Sequence, residues 1–136
     1  MNEGTSGTVT VQDAVQRTVG EVMIANPKTL ASDALVGDVR LAFERPSVRT
    51  VLLADGDRFA GAIERDGLPG DAPDAAPAGA YVEPHPLTAT PGMPMPEAIE
   101  LLQSRDERRL IVLDEDGVTL RGLLCANRDA TGFCIG

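Results

Sequence analysis

Apolar positions recur along the chain in two rhythms, one suited to strands and one to helices. Val9 to Val11 alternates polar and apolar and predicts a short strand. From Asp13 to Met23, Val15, Val19, Val22 and Met23 fall at helical intervals. They predict a helix that Gly20 weakens and Asn26-Pro27 ends. Lys28 to Leu30 reads as a short extended piece opened by Pro27. Ser32 is the expected N-cap of a helix over Asp33 to Glu44, which places Leu35, Val36, Val39, Ala42 and Phe43 on one face before Pro46 stops it. Two strands follow, Val48 to Ala54 and Arg58 to Ile63, joined by Asp55-Gly56-Asp57. Asp66 to Ala80 is rich in Pro, Gly and Ala without periodicity, and reads as a connector in which any helix is short.

The second half of the chain repeats this plan. Pro27 and Thr29 correspond to Pro86 and Thr88, and Thr90 to Pro96 is a proline-rich lead-in to a helix with Glu97 in its first turn. Met95, Ala98, Ile99 and Leu102 match Val36, Val39, Arg40 and Phe43. Strands are predicted at Leu110 to Asp114 and Thr119 to Cys125. Arg49 and Arg109 stand 60 positions apart and Gly61 and Gly122 stand 61 apart, which implies one residue gained in the hairpin turn. The expected organisation is a disordered tail at 1–8, a first repeat at 9–68, a connector at 69–80, and a second repeat at 81–136 that ends in a short tail. The fold class is α+β: two β-α-β-β(-α) repeats packed as a pseudo-symmetric pair, because half of such a chain buries little surface alone.

Composition narrows the function classes. A net charge of −9 argues against nucleic acid, whose phosphates demand a basic face. No apolar run approaches a membrane span, and Met1 to Thr8 lacks the basic and apolar regions of a secretory signal, so a cytoplasmic location is expected. Cys125 and Cys134 form neither a disulfide framework nor a zinc spacing, and reduced thiols are the default. The acidic turns lack the alternating ligand spacing of a calcium loop. His85 has no partner arrangement for nucleophilic catalysis. Neither a metal site nor an enzyme is expected.

The order, spacing and duplication resemble a tandem pair of CBS (cystathionine-β-synthase-type) domains, also called a Bateman module. The first half matches along VGEVMIANPKTL and VRTVLLADGDRFAGAIERDGL, the second along PHPLTATPGMPMPEAIELL and RRLIVLDEDGVTLRGLLC. The resemblance implies a ligand sensor, most often for adenine nucleotides (AMP, ADP or ATP) or S-adenosylmethionine, bound between the repeats. It also implies a last strand ending Gly-h-h-Thr/Ser-x-x-Asp, whose hydroxyl and a nearby helix N-terminus take phosphate while the aspartate holds ribose hydroxyls.

Carried over residue by residue, the resemblance makes Thr29, Ala62, Ile63, Arg65, Asp66, Thr88, Leu123, Leu124, Arg128 and Asp129 the candidate ligand-binding residues. Thr29 and Thr88 hold the family's Pro-x-Thr position. The motif itself is altered in both halves. In the first, Glu64 replaces the hydroxyl, Gly67 the aspartate, and Asp66 is the nearest carboxylate. A carboxylate beside a phosphate repels it unless Arg65 compensates. In the second, Cys125 replaces the hydroxyl, Arg128 takes the aspartate's place, and Asp129 comes one residue late. One of Arg108, Arg109, Arg121 and Arg128 is the candidate phosphate partner.

Two functions follow as expectations. The first is a stand-alone regulatory pair that binds a small anionic ligand and acts on a protein partner in trans. The second is a ligand-free interaction module. Both carry a homodimer, as the resemblance implies, with Val36, Val39, Phe43, Met95 and Leu102 supplying apolar helical faces.

Overall fold

The computed structural model describes residues 8–126 and 132–134. In chain order the elements are β1 (Thr8–Thr10), α1 (Val11–Ala14), α2 (Val19–Val22), β2 (Ile24–Ala25), β3 (Thr29–Leu30), α3 (Val36–Phe43), β4 (Thr50–Asp55), β5 (Arg58–Glu64), β6 (Thr88–Ala89), α4 (Met95–Ser104), β7 (Arg109–Leu113), β8 (Leu120–Cys125) and β9 (Gly132–Cys134). Single turns of 3-10 helix occupy Arg65–Gly67 and Ala78–Tyr81. The chain is α+β, as its patterning implied. Residues 1–7 of the expected tail lie outside the described residues, and Thr8 opens a strand instead.

The elements gather into two units, Lys28–Pro86 and a discontinuous one made of Met1–Pro27 with Leu87–Gly136. In the Lys28–Pro86 unit, β3 runs parallel to β4 and β4 antiparallel to β5, with Asp55 and Arg58 closing the hairpin around Gly56 at φ 63°. Helix α3 covers one face. Val39 and Phe43 meet Val51, Leu53 and Ile63 in the core. In the discontinuous unit the sheet order is β2-β8-β7-β6, and α4 sets Met95, Ala98 and Leu102 against Leu110, Val112 and Leu124. Strand β9 pairs with β1 and buries Phe133 in the same core.

The two sheets have matching registers. Thr29 opposes Leu52 and Thr88 opposes Ile111, both shifted by 59 positions. Leu53 opposes Gly61 and Val112 opposes Gly122, and each ladder is bulged immediately afterwards. The offset is therefore 59 through the helix and first hairpin strand and 61 in the second strand. The turn gained two residues, not one. Arg109 corresponds structurally to Thr50, not to Arg49.

The same offset extends into the segments that precede β3 and β6. Thr18 bridges Pro94 and Pro77 bridges Leu35. Met95 N donates to Arg17 O at 3.0 Å and Val36 N to Ala76 O at 2.9 Å. Residues 76–81, of which 76–80 were expected to be connector, thus repeat residues 17–22. Gly79 stands where Gly20 does, and a 3-10 turn replaces α2 because Pro77 and Ala80 replace the Thr18 and Glu21 that cap it. There Thr18 N donates to Glu21 Oε1 at 2.9 Å. These lead-ins are exchanged. The one preceding β3 adds β2 to β8, through Ile24 opposite Leu123 and Ala25 opposite Gly122. The one preceding β6 lies on β5, where Glu83 N donates to Ala62 O at 2.8 Å. Residues 9–27, which belong to the first repeat by sequence, fold with the second half.

Two predicted helices differ from the pattern. The helix predicted over Asp13 to Met23 is two short helices, separated where Arg17 and Thr18 leave the helix to meet Pro94 and Met95. Helix α3 begins at Val36 rather than Asp33. Ser32 does not cap it but turns to β4, donating from its N and Oγ to Asp55 at 3.1 and 2.7 Å. Asp38 instead accepts from Leu35 N at 3.0 Å.

Candidate functional site

The register sorts the candidate residues by face. In the Lys28–Pro86 unit Thr29, Leu52 and Ala62 form one cross-strand row, and in the other unit Thr88, Ile111 and Leu123 form its counterpart. Opposed residues share a face of the sheet, so Thr29 falls with Ala62, and Thr88 with Leu123. Both threonines are exposed. Ile63 and Leu124 alternate to the other face, where each is fully buried in its core cluster. Their side chains are core residues and leave only backbone to a ligand. Arg128 and Asp129 lie outside the described residues.

Arg65 is committed within its own unit. Its Nη2 donates to Phe43 O at 2.8 Å, Arg45 O at 2.8 Å and Val48 O at 2.7 Å, and its Nε donates to Val48 O at 3.1 Å. The guanidinium also lies over the Phe43 ring, 5.0 Å from its centroid. It closes the C-terminal end of α3, where unsatisfied carbonyls and the helix dipole favour a cation. The compensation of Glu64 expected of Arg65 is therefore absent from this geometry. Glu64 instead accepts from Thr50 Oγ1, its cross-strand partner, at 2.7 Å. Asp66 is 92% exposed and reaches Arg49 only at 4.0 Å.

The first turns of the two long helices are also engaged. Val36 N and Gly37 N donate to Ala76 O and Asp74 O at 2.9 and 3.0 Å, and Met95 N donates to Arg17 O. Carbonyls from the lead-in regions thus occupy donors that an anion would otherwise use. At the ends of the first hairpin strands the units diverge. Asp55 is held below its ordinary pKa by hydrogen bonds from the Ser32 hydroxyl and amide. The residue equivalent to Ser32 is Pro91, which has neither donor, and Asp114 accepts from Glu115 N at 2.9 Å and faces Arg121 at 3.4 Å.

Sequence reasoning missed the Thr50–Glu64 and Ser32–Asp55 pairs. The bulge after Leu53 hides the first from simple counting, and the second depends on a contact 23 residues apart. Among the described residues no group of His, Cys, Asp and Glu could hold a metal ion, and no helix is long and apolar enough to cross a membrane.

The sequence profile of the CBS domain matches residues 78–127. Residues 78–127 are a CBS domain. The match starts at Ala78, in the lead-in that repeats residues 17–22, so the profile follows the sequence repeat rather than the folded unit. No curated protein matches the sequence. Solved structures with the same fold include CBSX2 in complex with AMP, 22% identical with a TM-score of 0.71, covering 85% of this chain and 92% of that one. The CBS domain of the bacterial CNNM/CorC family Mg2+ transporter in complex with ATP is 18% identical with a TM-score of 0.67, covering 85% of each chain. A hemolysin-like protein containing a CBS domain, from Oenococcus oeni, is 18% identical with a TM-score of 0.65, covering 80% of this chain and 84% of that one. The two registers and two helix-covered sheets fit a CBS pair.

Proposed function

We propose that this CBS pair is a regulatory module that binds a small anionic ligand such as an adenine nucleotide, and that it acts through binding rather than catalysis. The observation that carries this reading is the matching pair of rows, Thr29 with Ala62 and Thr88 with Leu123, at equivalent positions of the two ladders. AMP and ATP in two structural neighbours support the ligand class. S-adenosylmethionine is the other candidate. A cytoplasmic location and an unidentified protein partner belong to the same proposal.

The test is a thermal-shift and calorimetry panel of AMP, ADP, ATP, S-adenosylmethionine, NAD and divalent cations. Ligand at a hundred times its dissociation constant adds about 2.7 kcal/mol, an upward shift of several degrees. The expected result is a rise with one adenine nucleotide that Thr29→Val or Thr88→Val removes.

A second reading, a ligand-free interaction module, is favoured by Arg65 and Glu64, both committed to partners in their own unit. A flat panel on folded protein selects it. The expected dimer stripe needs correction under either reading. Val36, Val39, Phe43, Met95 and Leu102 are all buried, and Val39, Phe43, Met95 and Leu102 pack in the cores of their own units. A homodimer using helical faces would draw on Leu41, 63% exposed on the outer side of α3.

A further inference from the structure

We propose that residues 69–76 form a strap that opens from the first turn of α3 while the rest of the Lys28–Pro86 unit stays folded, with Arg40 as the latch that holds it shut. The strap runs between the single helical turns at Arg65–Gly67 and Ala78–Tyr81. It meets α3 through polar groups. Arg40 Nη1 pairs with the Asp74 carboxylate, and Arg40 Nη2 donates to Pro69 O and Gly70 O, both at 3.1 Å. From the helix, Gly37 N donates to Asp74 O at 3.0 Å and Val36 N to Ala76 O at 2.9 Å. One guanidinium thus gathers both ends of the 69–74 stretch.

Little apolar contact adds to this hold. Ala72 is buried but brings only a methyl group, Ala76 is half-buried, and the other strap residues are exposed. A segment with so few buried apolar contacts opens at a lower free energy than the core around it. The flanks are fixed. Ala78 is fully buried and its N donates to Ala34 O at 2.9 Å, and Arg65 is held by Phe43 O, Arg45 O and Val48 O. Opening is therefore confined to the strap between them.

The discontinuous unit shows a permanent contact at the equivalent place. The 59-residue offset sets residues 69–74 against residues 10–15 and Arg40 against Ile99. There Ala14 is fully buried, and Val11 and Ile99 pack against the core. Where one copy uses apolar packing, the other uses a partly exposed ion pair, its side chains 31% and 75% accessible, which water and salt can replace. Gly37 completes the device. A Cβ there would stand 3.3 Å from Asp74 Cβ, so the missing side chain lets the strap close. Opening bares the Val36 and Gly37 amides and frees the Arg40 guanidinium, which changes what the outer side of α3 presents. The device is independent of the ligand reading.

The test is native-state hydrogen exchange by NMR on the full chain, over a series of urea concentrations below the unfolding transition. The Val36 and Gly37 amides should exchange faster than those of β4 and β5 and with little dependence on urea, because opening the strap exposes little surface. Arg40→Gln should speed their exchange at least about tenfold, as the loss of several charge-assisted hydrogen bonds implies. Ile63→Val weakens a core that stays intact when the strap opens. It should speed exchange in β4 and β5 severalfold and leave Val36 and Gly37 unchanged. Three results would overturn the proposal: Val36 and Gly37 sharing the protection and urea dependence of the β4 and β5 amides, Arg40→Gln leaving their exchange unaltered, or Ile63→Val speeding both groups alike. The wild-type urea series and Ile63→Val decide the matter even where Arg40→Gln does not fold.

Discussion

The Lys28–Pro86 unit and its discontinuous counterpart share one backbone plan yet finish their last strands differently. In the first, β5 runs into Glu64 and Arg65, and both side chains are held by groups of the same unit. In the second, β8 runs through Cys125 to Ala126 and continues pairing with β9. Core positions follow the 59-residue offset closely: Val36 with Met95, Val39 with Ala98, Phe43 with Leu102. Positions at the strand ends do not. The difference teaches that packing holds the duplication together, whereas the polar chemistry at the strand ends has diverged in each copy.

The largest test of that comparison lies in the core. Phe43→Ala and Leu102→Ala, at equivalent positions, should each cost about 3 kcal/mol in urea unfolding. Phe43→Ala should lose more, because its ring also carries the Arg65 guanidinium. Equal losses would show that the Arg65 stacking contributes little.

A somewhat smaller effect separates the two glycines. A Cβ at Gly122 would stand 2.6 Å from Ile24 O, a backbone atom, and one at Gly61 would stand 2.5 Å from Val82 Cγ1, a side-chain tip. Both alanine variants should destabilise by about 1–3 kcal/mol, Gly122→Ala through the fixed Ile24 carbonyl and Gly61→Ala through Val82 and a side chain placed at φ 157°. A larger loss in Gly122→Ala would make the backbone clash the dominant cost, and a larger loss in Gly61→Ala the backbone conformation.

Arg65→Gln should lower stability by about 1–3 kcal/mol through the lost carbonyl contacts, and leave nucleotide response at the remaining sites unchanged. An unaltered melting temperature with loss of nucleotide response would restore Arg65 to the ligand.

The smallest effect is in the acid limb. Asp55 is held below its ordinary value of 3.8 by Ser32, so its contribution is present above that value and fades as pH falls through the lower folded value. Asp55→Asn should therefore flatten the stability profile below about pH 4. A profile unchanged in shape would remove Ser32–Asp55 from the list of differences.

Much of the fold was legible because the apolar residues that build it are periodic. Val36, Val39 and Phe43, like Met95, Ala98 and Leu102, announce a helix on a sheet, and the strands that receive them are short apolar runs beside acidic turns. What escaped reading depends on long-range pairing. The paired arginines at 49 and 109 suggested an alignment that the ladders displace by one residue. The lead-in at 76–81 looked like connector because Ala and Pro carry no helical stripe, although Gly20 and Gly79 stand 59 apart and marked it. Strand β9 was too short for alternation to reveal. Within the candidate site, the motif named Thr29, Ala62, Thr88 and Leu123, and the ladders set them in two matching rows. That Ile63 and Leu124 are buried in the cores and that Arg65 closes α3 required knowing which face of each strand was inward and where α3 ended.

The exchanged lead-ins bear on the origin of the chain. A protein holding a single repeat would have a sheet edge awaiting a segment that its own topology sends elsewhere. It would complete that edge only by taking the segment from a second copy, as in a swapped dimer whose stability depends on concentration. Joining two repeats in one chain converts that exchange from an encounter into an internal fold.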